Sequence, residues 1–260
     1  MTSQKLHFVD EGNGPTVVLL HPIGLDATSW GPVSGALKSA FRVVAVDLAG
    51  HGQSPPAPAD HGLADYADDV ARIVETLGPP VTVVGLSFGG MIAQVLAIRH
   101  PALVGRLVLC GCPCTFDASL RPVIAARGTA AEQGGMGAVA EPTLGRWFTP
   151  AYLAGGGAET VRQRLLSDDV AGWATGWRAI AAHDAADALA SVGVPALCIA
   201  GELDQSVPAA AVSALSARLP SSQYEVIPGG CHMMHIENAA ALVQALRRFI
   251  PGQADGRSGQ

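Results

Sequence analysis

Short apolar runs, each bounded by turn residues, recur along this 260-residue chain and alternate with helical patterns. Runs that are apolar at nearly every position are typical of strands covered on both faces. Their alternation with helices predicts an α/β fold, a mostly parallel central sheet flanked by helices. The predicted strands are Thr16–Leu20, Arg42–Val46, Val81–Gly85, Arg106–Cys110, Ala196–Ala200 and Tyr224–Ile227, and the predicted helices include Ala64–Leu77, Phe88–Arg99, Ala209–Leu219 and Glu237–Ile250.

The alternation breaks between about Pro113 and Ala190, where the pattern is helical with Gly-rich interruptions at 134–137 and 155–157. We interpret this segment as a helical cap inserted into a single sheet domain, because 260 residues at 49% hydrophobic content suit one large core. The predicted division is a core of 1–112 and 191–252, a cap of 113–190, and a disordered tail of 253–260 rich in Gly, Ser and Gln.

Charge and composition exclude several classes of partner. A formal net charge of −6 with 16 basic residues argues against a nucleic-acid or anionic-membrane surface, which needs clustered Lys and Arg. Met1–Asp10 resembles neither a signal peptide nor an anchor, and no apolar run approaches the roughly 20 residues of a membrane span. The five cysteines are odd in number and lack paired metal-ligand spacing, which favours reduced thiols in a cytoplasmic protein without a bound metal.

The strongest chemical signal is Gly85-Leu86-Ser87-Phe88-Gly89-Gly90, which follows a predicted strand and opens a predicted helix. G-x-S-x-G at such a junction holds a serine on a strained turn, and the small residues let strand and helix approach each other. The positive end of the helix would lie beside the serine hydroxyl, where negative charge develops during acyl transfer. The motif therefore predicts Ser87 as a nucleophile; a turn without catalytic function is the alternative.

A nucleophilic serine needs a base, and His232 is the candidate among eight histidines. It follows the predicted strand Tyr224–Ile227 through a Gly-rich loop, at the edge where catalytic groups of parallel sheets gather. His235, three residues later, is the competitor. The orienting carboxylate is predicted to be Asp204, directly after the strand Ala196–Ala200, with Glu202 as the alternative.

The order Ser87, Asp204, His232 along the chain is the one expected for a nucleophile on this kind of strand–turn–helix junction. An oxyanion hole is predicted from the backbone N–H of Phe88 and that of Ile23, because Pro22 has no N–H to donate. His21 is expected to shape this loop rather than to transfer protons. His51, in a Gly-rich turn, is expected to be structural, and the absence of a phosphate-binding Gly motif means that no nucleotide cofactor is implied.

Together these motifs resemble the α/β-hydrolase superfamily over essentially the whole chain, from the His21 loop through D-x-x-G-H-G-x-S at Asp47 and G-E-L-D at Gly201 to C-H-M-M-H at Cys231. Within it the chain is most similar to 3-oxoadipate enol-lactonases. The cues are GLSFGGM at 85–91, RWFT at 146–149 and GWRAI at 176–180. Two features depart from that pattern: His21-Pro22 resembles general esterases, and Cys231 replaces the usual small residue before the histidine.

The resemblance implies hydrolysis of a small enol-lactone that bears a carboxylate, in aromatic catabolism, through an acyl-enzyme and without a cofactor. A cation in the cap would bind the substrate carboxylate, because an unpaired buried carboxylate is costly. Trp147, Arg146, Trp177 and Arg178 are the predicted substrate-binding residues, and Arg127 is a further candidate cation. The alternatives are a carboxylesterase, a carbon–carbon bond hydrolase of the same fold, and a hydrolase-fold protein that binds a ligand without turning it over.

Overall fold

The computed structural model describes residues 5–252 and contains a seven-stranded sheet in the order β1-β3-β2-β4-β5-β6-β7. Every neighbouring pair is parallel except β1 and β3. The predicted disordered tail, 253–260, lies outside the described residues. The strands are β1 (Phe8–Glu11), β2 (Thr16–Leu20), β3 (Arg42–Val46), β4 (Val81–Leu86), β5 (Val104–Cys110), β6 (Ala196–Gly201) and β7 (Ser222–Ile227).

Helices flank this sheet, so the prediction of an α/β fold with a mostly parallel central sheet is confirmed. They are α1 (Gly31–Leu37), α2 (Leu63–Glu75), α3 (Phe88–Arg99), α4 (Arg121–Trp147), α5 (Pro150–Ala154), α6 (Glu159–Leu166), α7 (Val170–Ala181), α8 (Ala209–Ser216) and α9 (Ala239–Phe249).

The central strands are apolar throughout because both of their faces are covered. All residues of β4 and β6 are buried, as are four of the five residues of β2. Leu20 aligns with Gly85, and Leu86 with Cys110, so the carboxyl ends of β2, β4 and β5 meet at one edge of the sheet. The loops that leave this edge are therefore close neighbours in space.

The sequence patterns did not predict β1. It has only four residues, two of them acidic, and no residue of it is fully buried. It pairs antiparallel with β3 at the edge of the sheet, and its two middle residues are exposed. A short polar edge strand of this kind lacks the apolar run by which the other strands were identified.

Four helices, α4 to α7, occupy the segment between β5 and β6. The predicted interruption at 134–137 is a single kink inside α4, where Gly135 has φ 70° and ψ 177°. Gly128 lets α4 approach α7, because a Cβ at this position would lie 2.9 Å from Cα of Ala174. The two ends of the segment meet where the N–H of Ala185 donates to the carbonyl of Cys114 at 2.8 Å. The exact division at 113 and 190 stays a prediction.

Candidate active site

Ser87 lies on the sharp turn between β4 and α3, with φ 52° and ψ −114°. Among residues 5–252 it is the one residue other than glycine with a positive φ, which costs of order 1–3 kcal/mol and must be held by its surroundings. A Cβ on Gly85 would lie 2.3 Å from the carbonyl oxygen of Gly89, and one on Gly90 would lie 2.6 Å from Sγ of Cys112. These glycines allow the packing that holds Ser87 in place.

The imidazole of His232 lies between Ser87 and a carboxylate. Its Nε2 is 3.1 Å from Oγ of Ser87, and its Nδ1 is 2.8 Å from Oδ2 of Asp204. Since a carboxylate accepts, the arrangement fits the tautomer in which Nδ1–H donates to Asp204 and Nε2 accepts from the hydroxyl. Such a chain can move a proton from serine to histidine while the carboxylate stabilises the imidazolium.

Asp204 is held by its own loop after β6. Its Oδ1 accepts the backbone N–H groups of Ser206 and Val207 at 2.8 and 2.9 Å, which leaves Oδ2 directed at His232. Glu202, the alternative carboxylate, instead accepts the N–H of Gly229 at 2.7 Å on the exposed surface. The structure therefore brings Asp204 rather than Glu202 to the imidazole.

His235, the competing histidine, is buried away from Ser87. Its ring packs against Trp30 at 4.7 Å between ring centroids, and neither ring nitrogen has a hydrogen-bond partner among the described residues. Burial, with smaller contributions from His232 and His21, lowers the pKa of His235 to about 3. His235 is therefore neutral and sits in the core near the site.

The loops that carry Asp204 and His232 both donate hydrogen bonds to the end of α4. The hydroxyl of Ser206 donates to the carbonyl of Arg146 at 3.4 Å, and the N–H of Met233 donates to the carbonyl of Trp147 at 3.2 Å. The cap segment thus contributes directly to the position of the loops below it.

The loop after β2 is braced by His21. Its Nε2 accepts the N–H of Leu48 at 3.0 Å, so its Nδ1–H is the donor to the carbonyl of Pro22 at 2.8 Å. Burial lowers the pKa of His21 to about 3, which keeps the ring neutral and both bonds intact. His21 thus joins this loop to the loop after β3.

The predicted oxyanion residues lie beside Ser87. Ile23 lines the same cavity as Ser87. Phe88 begins α3, so its N–H has no intrahelical acceptor, because the residue four positions earlier lies in β4. The two segments are in close contact, because a Cβ on Gly89 would lie 2.2 Å from the carbonyl oxygen of Leu20. The first turn of α3 and the loop of Ile23 therefore meet next to the serine.

Ser87 and His232 open onto a cavity of about 220 Å³. This volume lies below the roughly 300–1,000 Å³ of pockets for drug-sized ligands, so the cavity suits a small molecule. Its walls are mainly apolar, and most of them come from the segment between β5 and β6. The cavity is lined by Ile23, Ser87, Met91, Phe116, Leu120, Val123, Ile124, Arg127, Trp147, Trp177, Ile180, Ser206, Val207 and His232.

Of the four predicted substrate-binding residues, Trp147 and Trp177 line this cavity, whereas Arg146 and Arg178 do not. The guanidinium of Arg178 lies on the exposed side of α7, where it donates to Glu132 at 2.8 Å. Arg146 donates to the hydroxyl of Thr143 at 3.3 Å. The cation in the wall of the cavity is Arg127, which sequence reasoning named only as a further candidate.

Sequence reasoning missed Gly111, which has φ 51° directly after β5. A Cβ there would lie 3.2 Å from Oδ2 of Asp204 and 3.5 Å from Nδ1 of His232. A glycine that immediately follows a central strand was the available signal.

No three His, Cys, Asp or Glu side chains of residues 5–252 come together in a way that could hold a metal ion. None of the helices there combines the length and the apolar character that crossing a bilayer requires. The five cysteines are buried free thiols.

Comparison with known proteins agrees with this architecture. The chain is 30% identical over 244 residues to 3-oxoadipate enol-lactonase 1 of Acinetobacter baylyi, covering 92% of this chain and 89% of the relative. It is 27% identical over 251 residues, 95% of each chain, to (E)-2-((N-methylformamido)methylene)succinate hydrolase of the same organism. The crystal structure of the enol-lactonase from Burkholderia xenovorans superposes with a TM-score of 0.88 at 29% identity, covering 95% of this chain and 97% of that one. The model of the alpha/beta hydrolase family matches residues 17–245, and the chain therefore belongs to that family.

Proposed function

We propose that this chain is a serine hydrolase that cleaves a small carboxylic ester or lactone, with Ser87 as nucleophile, His232 as general base and Asp204 as the carboxylate that orients it. The observation that carries the proposal is the hydrogen-bonded chain from Asp204 through His232 to Ser87, which ends in a small apolar cavity. A strained serine on the turn between β4 and α3 supports the same assignment.

In the proposed reaction, His232 takes the proton of Ser87 as Oγ attacks the substrate carbonyl. The N–H groups of Phe88 and Ile23 stabilise the tetrahedral oxyanion. His232 then protonates the leaving oxygen, and an acyl-enzyme forms on Ser87. Water, activated by the same imidazole, attacks the acyl-enzyme and releases the carboxylic acid product.

The substrate that we propose is 3-oxoadipate enol-lactone. Its support is the 30% identity to one enol-lactonase, the likeness to a solved enol-lactonase, and a cavity small enough for a compact lactone. In an enol-lactone the leaving oxygen is an enolate that stays attached to the acyl group. The acyl-enzyme therefore carries the whole substrate, and one product is released after the protonated enol becomes the ketone.

The test is hydrolysis of enzymatically generated 3-oxoadipate enol-lactone, followed by loss of its ultraviolet absorbance, in wild type and Ser87→Ala. Short-chain p-nitrophenyl esters are assayed in parallel. Fast lactone turnover that falls by roughly four to six orders of magnitude in Ser87→Ala is the expected result. Ester turnover without lactone turnover would retain Ser87 as nucleophile and replace the substrate by another ester, or by a diketone cleaved at a carbon–carbon bond.

A serine-directed phosphonate tests the nucleophile independently of the substrate. The expected result is stoichiometric labelling of wild type at Ser87 and no labelling of Ser87→Ala. A correctly folded wild type that is not labelled would instead indicate a protein that binds its ligand without turning it over.

A further inference from the structure

Arg127 lies on α4 in the wall of the cavity that contains Ser87 and His232. Its guanidinium stacks over the ring of Trp177, with Cζ 4.7 Å from the ring centroid. Its backbone carbonyl accepts the indole N–H of Trp173 at 3.3 Å. Both the side chain and the backbone of Arg127 are therefore held by α7, and the charge is fixed rather than free in solvent.

Arg127 has no carboxylate within 4 Å among residues 5–252, and neither does Arg146. The other arginines between β5 and β6 that the structure describes are all paired with carboxylates. Arg121 pairs with Asp184, Arg162 with Glu159, Arg164 with Asp26 and Arg178 with Glu132. Among the described residues, the lack of a carboxylate partner thus distinguishes Arg127 and Arg146 from the four paired arginines of the same segment.

The local environment leaves this positive charge uncompensated. Burial, and after it the charge of Arg146, lowers the pKa of Arg127. Burial also lowers the pKa of Arg146, whose Nε is buried without a hydrogen-bond partner among the described residues. Two guanidinium groups that repel each other would be stabilised by an anion, and a partly buried carboxylate would be stabilised by them in turn.

We propose that Arg127 is a specificity-determining residue that pairs with a carboxylate on the substrate, distinct from the scissile carbonyl, so that the enzyme prefers esters or lactones of dicarboxylic acids. The inference rests on the proposed function for its catalytic step. The planar guanidinium can hold a carboxylate through two parallel hydrogen bonds, while its position over the Trp177 ring restrains it. Arg146 adds to the local positive charge.

The experiment compares two substrates with the same leaving group, p-nitrophenyl butyrate and mono-p-nitrophenyl glutarate, which differ by a terminal carboxylate. The readout is the ratio of kcat/KM for the charged ester to that for the neutral ester. Wild type is expected to favour the charged ester at least about ten-fold, and Arg127→Gln to lower the ratio by about 10- to 100-fold, mainly through KM. Arg127→Lys, which keeps the charge but not the planar fork, should recover part of the ratio.

Arg178→Gln is the matched control, because this arginine lies on the packed partner helix but outside the cavity. It should leave the ratio at the wild-type value. A ratio that Arg127→Gln does not change, or that Arg178→Gln changes equally, would overturn the inference.

Binding of glutarate to Ser87→Ala, measured by calorimetry, separates this inference from the proposed function. We expect Arg127→Gln in that background to weaken glutarate binding at least about ten-fold, and Arg178→Gln to leave it unchanged. Ester hydrolysis whose substrate ratio ignores Arg127 would remove the inference and keep the hydrolase. Glutarate binding that depends on Arg127 in a wild type without hydrolysis would remove the proposed reaction and keep the carboxylate site.

Discussion

Gly111 lies against Asp204 so closely that a Cβ on the glycine would be 3.2 Å from the carboxylate oxygen that faces His232. Its φ of 51° also belongs to the left-handed region that side chains disfavour. The contact makes the residue after β5 part of the environment of the acid–base pair. A side chain there would displace either the carboxylate or the imidazole.

Gly111→Ala is expected to lower kcat at least about ten-fold, because a shift of a few tenths of an ångström at Asp204 disturbs the orientation of His232. Gly78→Ala is the control, since Gly78 has a similar positive φ of 77° but nothing within 4 Å of its would-be Cβ. Both variants should lose roughly 1–2 kcal/mol of unfolding free energy from the backbone conformation. Equal kcat values in the two variants would show that the contact with Asp204 has no effect on turnover.

Replacement of the two neighbouring histidines should give opposite results. His232→Ala removes the imidazole that contacts Ser87, so ester or lactone turnover should fall by roughly four orders of magnitude or more. His235→Ala removes a buried ring that contacts Trp30, so it should lower stability and leave turnover within about ten-fold of wild type. Steady-state kinetics on both purified variants tests this, and the reverse pattern would contradict the assignment of the base.

The buried neutral histidines should make the protein less stable in acid. The pKa of His235 is about 3 in the folded protein and 6.5 in an unperturbed chain, so only the unfolded state takes up a proton as the pH falls below about 6.5. Protonation of His235 in the unfolded state thus leaves the free energy of unfolding nearly unchanged above that pH and lowers it progressively as the pH falls toward 3. Between pH 6.5 and 5 this protonation should lower the free energy of unfolding by about 2 kcal/mol.

His235→Leu tests this pH dependence, because leucine fills the site without a titratable group. Urea unfolding at pH 7 and pH 5 should show a smaller loss of stability in the variant than in wild type, by about 2 kcal/mol. The variant should also be at least as stable as wild type at pH 7, since two buried nitrogens without partners are removed. If His235→Leu and wild type lose the same stability between pH 7 and pH 5, His235 either resists protonation in the unfolded chain or accepts a proton in the folded one.

The sheet and the relative positions of Ser87, Asp204 and His232 could be predicted from sequence for local reasons. Each of the three residues follows a parallel strand directly or through a short loop, and the carboxyl ends of parallel strands meet at one edge. The choice between His232 and His235 depended on loop position alone, because both residues lie on the same short loop. The structure separates them, because His232 contacts Ser87 and Asp204 whereas His235 packs against Trp30.

The arginine of the cavity wall could not be selected in the same way. Which face of α4 meets the cavity depends on how α4 packs against α7, and that packing includes the close approach of Gly128 to Ala174, 46 positions apart. Arg127, Arg146 and Arg178 have the same chemistry and lie in helical patterns of the same segment. Only their surroundings in the folded chain distinguish them, since Arg127 alone of the three lines the cavity, and contacts between residues distant in sequence are not visible in a local pattern.

The kink at Gly135 divides α4 into two halves that contact different parts of the site. The half before it places Arg127 in the wall of the cavity, whereas the end of the half after it holds the loops of Asp204 and His232 through the carbonyls of Arg146 and Trp147. Substitutions within 121–134 can therefore change the charge of the cavity wall while the carbonyls of Arg146 and Trp147 that hold these two loops stay in place. Exchange of the whole helix for that of another hydrolase would alter the catalytic geometry together with the specificity.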